Sequence, residues 1–190
     1  MRLPSLLLRT SLHRKGGLPP RMSLLQRRPS PDVPERPMST FTQRPFHCPA
    51  CDHCEVHSTV VGVNASRSPH LREQVLSGLL HRFICKSCQA AYLVDEKFSY
   101  IDFDRKQWLF VYPLQEELGW ADLERESREV FDRTLTGPHV PPIAVALGRG
   151  LRIRAVFGLP ALREKLLCWE ADLDDTLLEV VKLEMMRSIP

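Results

Sequence analysis

The sequence predicts an α+β fold, in which an antiparallel sheet carries one inserted helix and is followed by a helical C-terminal region. Three observations carry that expectation. Short runs rich in β-branched and aromatic residues recur between residues 56 and 112, one amphipathic stripe at helical spacing interrupts them at 69–80, and residues 159–190 switch to helical periodicity.

Val56-His57-Ser58-Thr59-Val60-Val61-Gly62-Val63 has the β-branched content and length of a strand. Asn64 to Pro69 reads as a loop, where Ser68 can cap a helix beginning at Pro69. Leu71, Val75, Leu76, Leu79 and Leu80 then share a face that should cover the sheet. Arg82-Phe83-Ile84 and Ala91-Tyr92-Leu93-Val94 read as two short arms that pair. Ser99 to Phe103 and Trp108 to Tyr112, separated by the polar segment Asp104-Arg105-Lys106-Gln107, read as a hairpin that Pro113 ends.

Trp120 to Leu135 has the charge of a largely exposed helix, stopping at Gly137-Pro138. Pro141 to Gly150 carries no pattern that places it. Leu151 to Phe157 alternates as a half-buried strand, ended by Gly158. Leu159 to Glu170 puts Leu162, Leu166 and Trp169 on one side, and Asp172 or Asp174 can cap a last helix carrying Leu177, Leu178, Val181 and Met185 on a face expected to pack.

A chain of 190 residues, 43% hydrophobic, can bury one moderate core or a small core with a helical appendage. The organisation read from it is a basic tail over 1–37, a cysteine-bearing domain over 38–113, and a strand with helices over 114–190. Eight of the 26 basic residues but only two of the 23 acidic ones fall in 1–37, leaving 18 against 21, a net charge of −3, for the remainder. The body therefore lacks the cationic surface that phosphate binding needs, and nucleic acid is not the expected partner. The tail is expected to be disordered. It also has the composition of a transit peptide interrupted by Pro4, Pro19 and Pro20, and a third reading starts translation at Met22 or Met38.

Four of the six cysteines form two Cys-x-x-Cys pairs, Cys48/Cys51 and Cys85/Cys88. Leu3 to Leu8 is too short for a secretory signal and contains Pro4, and no apolar run is long enough to span a membrane. The expected compartment is thus reducing and cytoplasmic, which favours metal over disulfides. A Cys-x-x-Cys turn converges two sulfurs on one ion, and two turns complete a tetrahedral shell, so the candidate ligands of one zinc ion are Cys48, Cys51, Cys85 and Cys88. The intervening 33 residues hold a strand, a helix and a returning strand, enough to bring the second turn back to the first. Four thiolates close the shell against substrate water, so the expected zinc is structural and the fold zinc-ribbon-like.

Cys54 overlaps the first pair, and His53 and His57 stand near it, so other ligand sets are conceivable; the preferred reading of Cys54 is a free thiol packed on the sheet. Cys168 reads as a small buried hydrophobe. A thiol–disulfide enzyme is the rival reading, weakened because both pairs lead into strand-like sequence rather than a helix N-terminus.

Cys48-Pro49-Ala50-Cys51, Val63-Asn64, Leu76-Ser77-Gly78-Leu79-Leu80, Phe83-Ile84-Cys85-Lys86-Ser87-Cys88 and the aromatic strands to Tyr112-Pro113 resemble the CpXC domain family over about 46–113. Val156-Phe157-Gly158-Leu159, Leu162-Arg163-Glu164-Lys165 and Leu173-Asp174-Asp175 are similar to the tail of its longer members. The resemblance implies metal binding by Cys48 and Cys51, and by pattern Cys85 and Cys88, a bacterial source, a start at Met38, and no assigned activity.

Asp172, Asp174 and Asp175 read as helix caps rather than a cation site, and Asp95, Glu96, Asp102 and Asp104 as solvated turn residues. Trp108, Phe110 and Tyr112 can stack bases but fit a core-facing strand better. Gly148-Arg149-Gly150 lacks the ending of a phosphate loop. The expected function is a structural-zinc interaction module with a protein partner. A thiol or metal-dependent enzyme using Cys54, and a nucleic-acid-binding ribbon, are the alternatives.

Overall fold

The computed structural model describes residues 39–188. The segment 1–37 and the alternative starts at Met22 and Met38 lie outside the described residues. The elements run β1 Thr40–His47, β2 Cys54–Asn64, α1 Pro69–Ser77, β3 Arg82–Ile84, β4 Ala91–Leu93, β5 Phe98–Asp102, β6 Gln107–Tyr112, α2 Trp120–Phe131, α3 Pro142–Gly148, β7 Arg152–Phe157, α4 Gly158–Glu170 and α5 Asp175–Arg187. A 3-10 turn, Leu114–Gly119, leads into α2, and a π-helical turn, Asp132–Thr136, extends it.

The mixed α and β composition and the helical C-terminal region agree with the sequence reading. Five strands form one sheet in the order β1-β2-β5-β6-β7, and β3 and β4 form a separate two-stranded sheet. β1–β2 and β5–β6 are antiparallel, but β2–β5 and β6–β7 are parallel, so the main sheet is mixed rather than antiparallel throughout. Parallel neighbours need a long crossover. The first crossover carries α1 and the β3–β4 hairpin, and the second carries α2 and α3; β7 thereby joins strands from before residue 113.

β1 has no counterpart in the sequence reading, which begins its strands after Pro45. Proline cannot donate to a ladder, and it is tolerated here because β1 lies at the sheet edge. β6 is buried along its whole length and serves both faces of the sheet. Leu109 and Val111 join Val60, Val63, Tyr100, Leu71 and Val75 under α1 and α4, while Trp108, Phe110 and Tyr112 form the opposite core with Leu123, Val130, Phe131 and Leu135. The three aromatics are thus core residues. The helix from Trp120 lies along this second core through its apolar residues.

α1 is shorter than its stripe suggests. Gly78, at φ +72°, takes the left-handed C-cap conformation and donates to the carbonyls of Gln74 and Val75. Leu79 therefore falls beyond the helix and is 58% exposed, while Leu80 returns to the core. Ser68 occupies the N-cap position without a capping bond, its hydroxyl accepting instead from Ser39 at 3.0 Å. Asp174 caps α5 by accepting from the Thr176 and Leu177 amides, which holds its carboxyl below the usual carboxylate range. The face of α5 expected to pack does not do so: half-buried Leu178 and Lys182, paired with Glu164, meet the body, while Leu177, Val181 and Met185 are exposed. Among the described residues, no helix is long and apolar enough to cross a membrane.

Candidate metal centre

Cys48 and Cys51 lie in the turn joining β1 to β2, and Cys85 and Cys88 in the turn joining β3 to β4. The two turns share one backbone design. The Cys48 amide donates to the His53 carbonyl and the Cys85 amide to that of Ala90, both at 2.9 Å. The Asp52 amide returns to Cys48 at 2.8 Å, as the Gln89 amide does to Cys85 at 2.9 Å. Asp52 and Gln89 adopt left-handed backbone angles, φ 59° and 61°, which close each hairpin just after its second cysteine. In both turns the first cysteine is buried and the second exposed.

The turns meet tip to tip. Their four sulfurs all lie within 4.8 Å of one another, with Cys48 Sγ 3.7 Å from Cys88 Sγ and Cys51 Sγ 3.6 Å from Cys85 Sγ. Zinc–sulfur bonds of about 2.3 Å in a tetrahedron place sulfurs about 3.8 Å apart, so the spacing fits a metal ion of that size. The donor chemistry fits as well. The Cys88 and Ser87 amides, outweighing burial, help lower the Cys85 thiol to about 7. The Ala90 amide favours the Cys88 thiolate, but the Cys51, Cys48 and Cys85 sulfurs and burial push that thiol up to about 12. Four clustered thiols, one of them held high by its sulfur neighbours, are a donor set that a cation would match.

Beneath the sulfurs, Cys48, Cys85, Tyr92 and Val94 form a small core with Phe46, Phe83 and Ala90. The second turn is seated on β2 by a row of residues at strand period two. Glu55 takes the Lys86 amide at 3.2 Å and pairs with the Lys86 ammonium; His57 Nε2 and the Tyr92 hydroxyl share a hydrogen bond of 2.6 Å; and the Thr59 hydroxyl donates to Glu96 at 2.9 Å. The His57 ring also stacks on Phe83 at 4.0 Å between centroids. A fourth tie is His81, buried at φ 57°, whose Nε2 accepts the Val60 amide at 2.9 Å while its carbonyl accepts that of Val94. Burial lowers the His81 imidazole from its ordinary value, with Glu96, the Val94 backbone and Asp95 opposing.

All four cysteines read as candidate ligands are brought together, and Cys54 is not among them. Cys54 opens β2 as a free thiol, but an exposed one rather than one packed on the sheet. Its side of the strand is the outer one, shared with Val56 and Ser58, because Glu55, His57 and Thr59 take the inner positions. Sequence reasoning overlooked that polar row. Its signal was present: three polar residues alternate through a run that hydrophobicity alone would bury by Val56, which is 63% exposed. His53 stands outside the cluster, contributing only its carbonyl. Cys168 is buried as expected.

Asp102 corrects the reading of the turn acids as solvated. It is buried, and its carboxylate locks the β5–β6 turn by accepting from the Asp104 and Arg105 amides and the Arg105 guanidinium. Asp172 and Asp175 are not caps: Asp175 accepts from Trp169 Nε1 and pairs with Lys165 and Arg154, and Asp172 sits exposed at φ 53°.

No curated protein and no solved structure gives a significant match to this chain. The family described as CpXC protein matches over residues 46–182, from just before the first turn into α5. That span takes in both cysteine turns, the whole of β2 and the strands and helices behind them, so the chain belongs to the CpXC family.

Proposed function

We propose that Cys48, Cys51, Cys85 and Cys88 hold one structural zinc ion and that the chain serves as an interaction module for a protein partner. The observation that carries the metal reading is the gathering of four sulfurs within 4.8 Å of one another from two turns distant in sequence. A full set of thiolates offers soft ligands and no open position, which suits a structural ion. Loading would fasten the three-residue strands β3 and β4, which make few hydrogen bonds of their own, to the first turn. Metal analysis of protein purified without added zinc tests this: one zinc per chain is expected, and a metal-free chain with reduced thiols contradicts it.

The partner reading is supported by the apolar side of α5, where Leu177, Val180, Val181 and Met185 are exposed together. The complementary surface is an apolar patch on another protein. Crosslinked full-length chain should lose its partner on Leu177→Ser with Val181→Ser at unchanged metal content, and undiminished capture contradicts the assignment. A second reading, a thiol enzyme, is supported by the exposure of Cys54. Alkylation of Cys54 no faster than free cysteine removes it.

A further inference from the structure

The two cysteine turns differ at one informative position. The residue after the first cysteine is Pro49 in the first turn and Lys86 in the second. Proline has no amide hydrogen, so the shared turn design works without a donor there. In the second turn that donor exists, and a side chain of β2 takes it. The Lys86 amide donates to Glu55 Oε2 at 3.2 Å, while Glu55 Oε1 pairs with the Lys86 ammonium. Glu55 is only 7% exposed, and its ordered role accounts for an acid buried on β2 beside a thiol cluster.

Burying a carboxylate near four sulfurs that are negative when ligating is unfavourable unless it is matched by donors. Here both donors come from a single residue of the Cys85–Cys88 loop, Lys86. From this geometry we infer that Glu55 is a positioning residue for the metal: it clamps the second turn at Lys86, so that Cys85 and Cys88 are presented to the first turn before the ion arrives. The inference rests on the zinc reading and adds to it the residue outside the ligand set that sets affinity. The first turn needs no such clamp, since β1 pairs with β2 from one end to the other, up to His47 and Cys54.

The test is zinc affinity of the full chain by competition with a chelator, together with the visible spectrum of the cobalt-substituted protein. Outer-sphere partners of a metal site commonly change affinity by about 10–100-fold. Glu55→Ala should weaken zinc binding by about that factor while the cobalt spectrum keeps its four-thiolate bands. Glu55→Gln, which can still accept the amide, should recover most of the loss. Lys86→Met, which keeps the amide, should stay within about threefold of wild type, whereas Lys86→Pro, which copies the first turn and deletes the donor, should behave like Glu55→Ala. Equal affinity in all four variants overturns the clamp and leaves the zinc reading intact. A wild-type chain that takes up neither ion overturns both. Changed cobalt bands in Glu55→Ala would make Glu55 part of the coordination shell and also overturn the clamp.

Discussion

The first and second cysteine turns have the same hydrogen bonds, the same left-handed closing position and the same pattern of one buried and one exposed cysteine, yet they stand on different foundations. The first is the tip of β1 and β2, part of a five-stranded sheet. The second is the tip of three-residue strands that, among the described residues, form only a two-stranded sheet and reach the body through Glu55, His57, Thr59 and His81. A turn carried by long strands keeps its shape from the fold. One carried by a minimal hairpin depends on side-chain ties and on the ion, because two short strands alone are marginal.

The largest effect should come from removing a ligand. Cys85→Ser should abolish zinc binding and release residues 82–94 to rapid amide exchange, while β1 and β2 remain protected; Cys48→Ser should also lose the ion but leave its own hairpin formed. Cys54→Ser should change neither. Protection that vanishes equally from both hairpins would erase the distinction drawn here. The next effect is at the aromatic tie. Tyr92→Phe leaves His57 Nε2 without its hydroxyl partner, a loss of about 1–3 kcal/mol for an unsatisfied part-buried group. Thermal unfolding of the loaded protein measures it.

His81 gives the comparison a pH dependence. The ring is buried and its affinity for a proton is lowered, so below its ordinary value of 6.5 the unfolded chain binds a proton that the folded chain resists. Its contribution is fully present above 6.5 and declines as pH falls through that value towards the lower folded one. Denaturant unfolding between pH 8 and about 5.5 should show wild type losing more stability than His81→Gln, whose amide can still accept the Val60 amide. Parallel curves would remove His81 from the account. Smallest is the closing residue: Gln89→Gly should stabilise the second hairpin by up to about 1 kcal/mol by relieving a left-handed angle, and Asp52→Gly by less, since aspartate tolerates that region better.

The cysteine turns were legible because their chemistry is local: ligand spacing is set within four residues of chain. The β5–β6 hairpin was legible for the same reason, its strands and its polar turn being contiguous. The parallel pairing of β2 with β5 was not, because it depends on where a crossover deposits its far end. β1 was hidden by Pro45, which only an edge position permits. Val56 and Leu177 look like core residues by type, and both are exposed because the inner positions beside them are filled by polar or charged residues with partners of their own, Glu55 and Lys182. Hydrophobicity ranks side chains; it does not know which polar ones have found a mate.

X-ray absorption at the zinc edge of protein loaded in the cell addresses the shared-ion claim most directly. Four sulfur neighbours at about 2.3 Å, with one zinc per chain, are the predicted result. A shell containing nitrogen from His53 or His57, or fewer than four sulfurs, would contradict it.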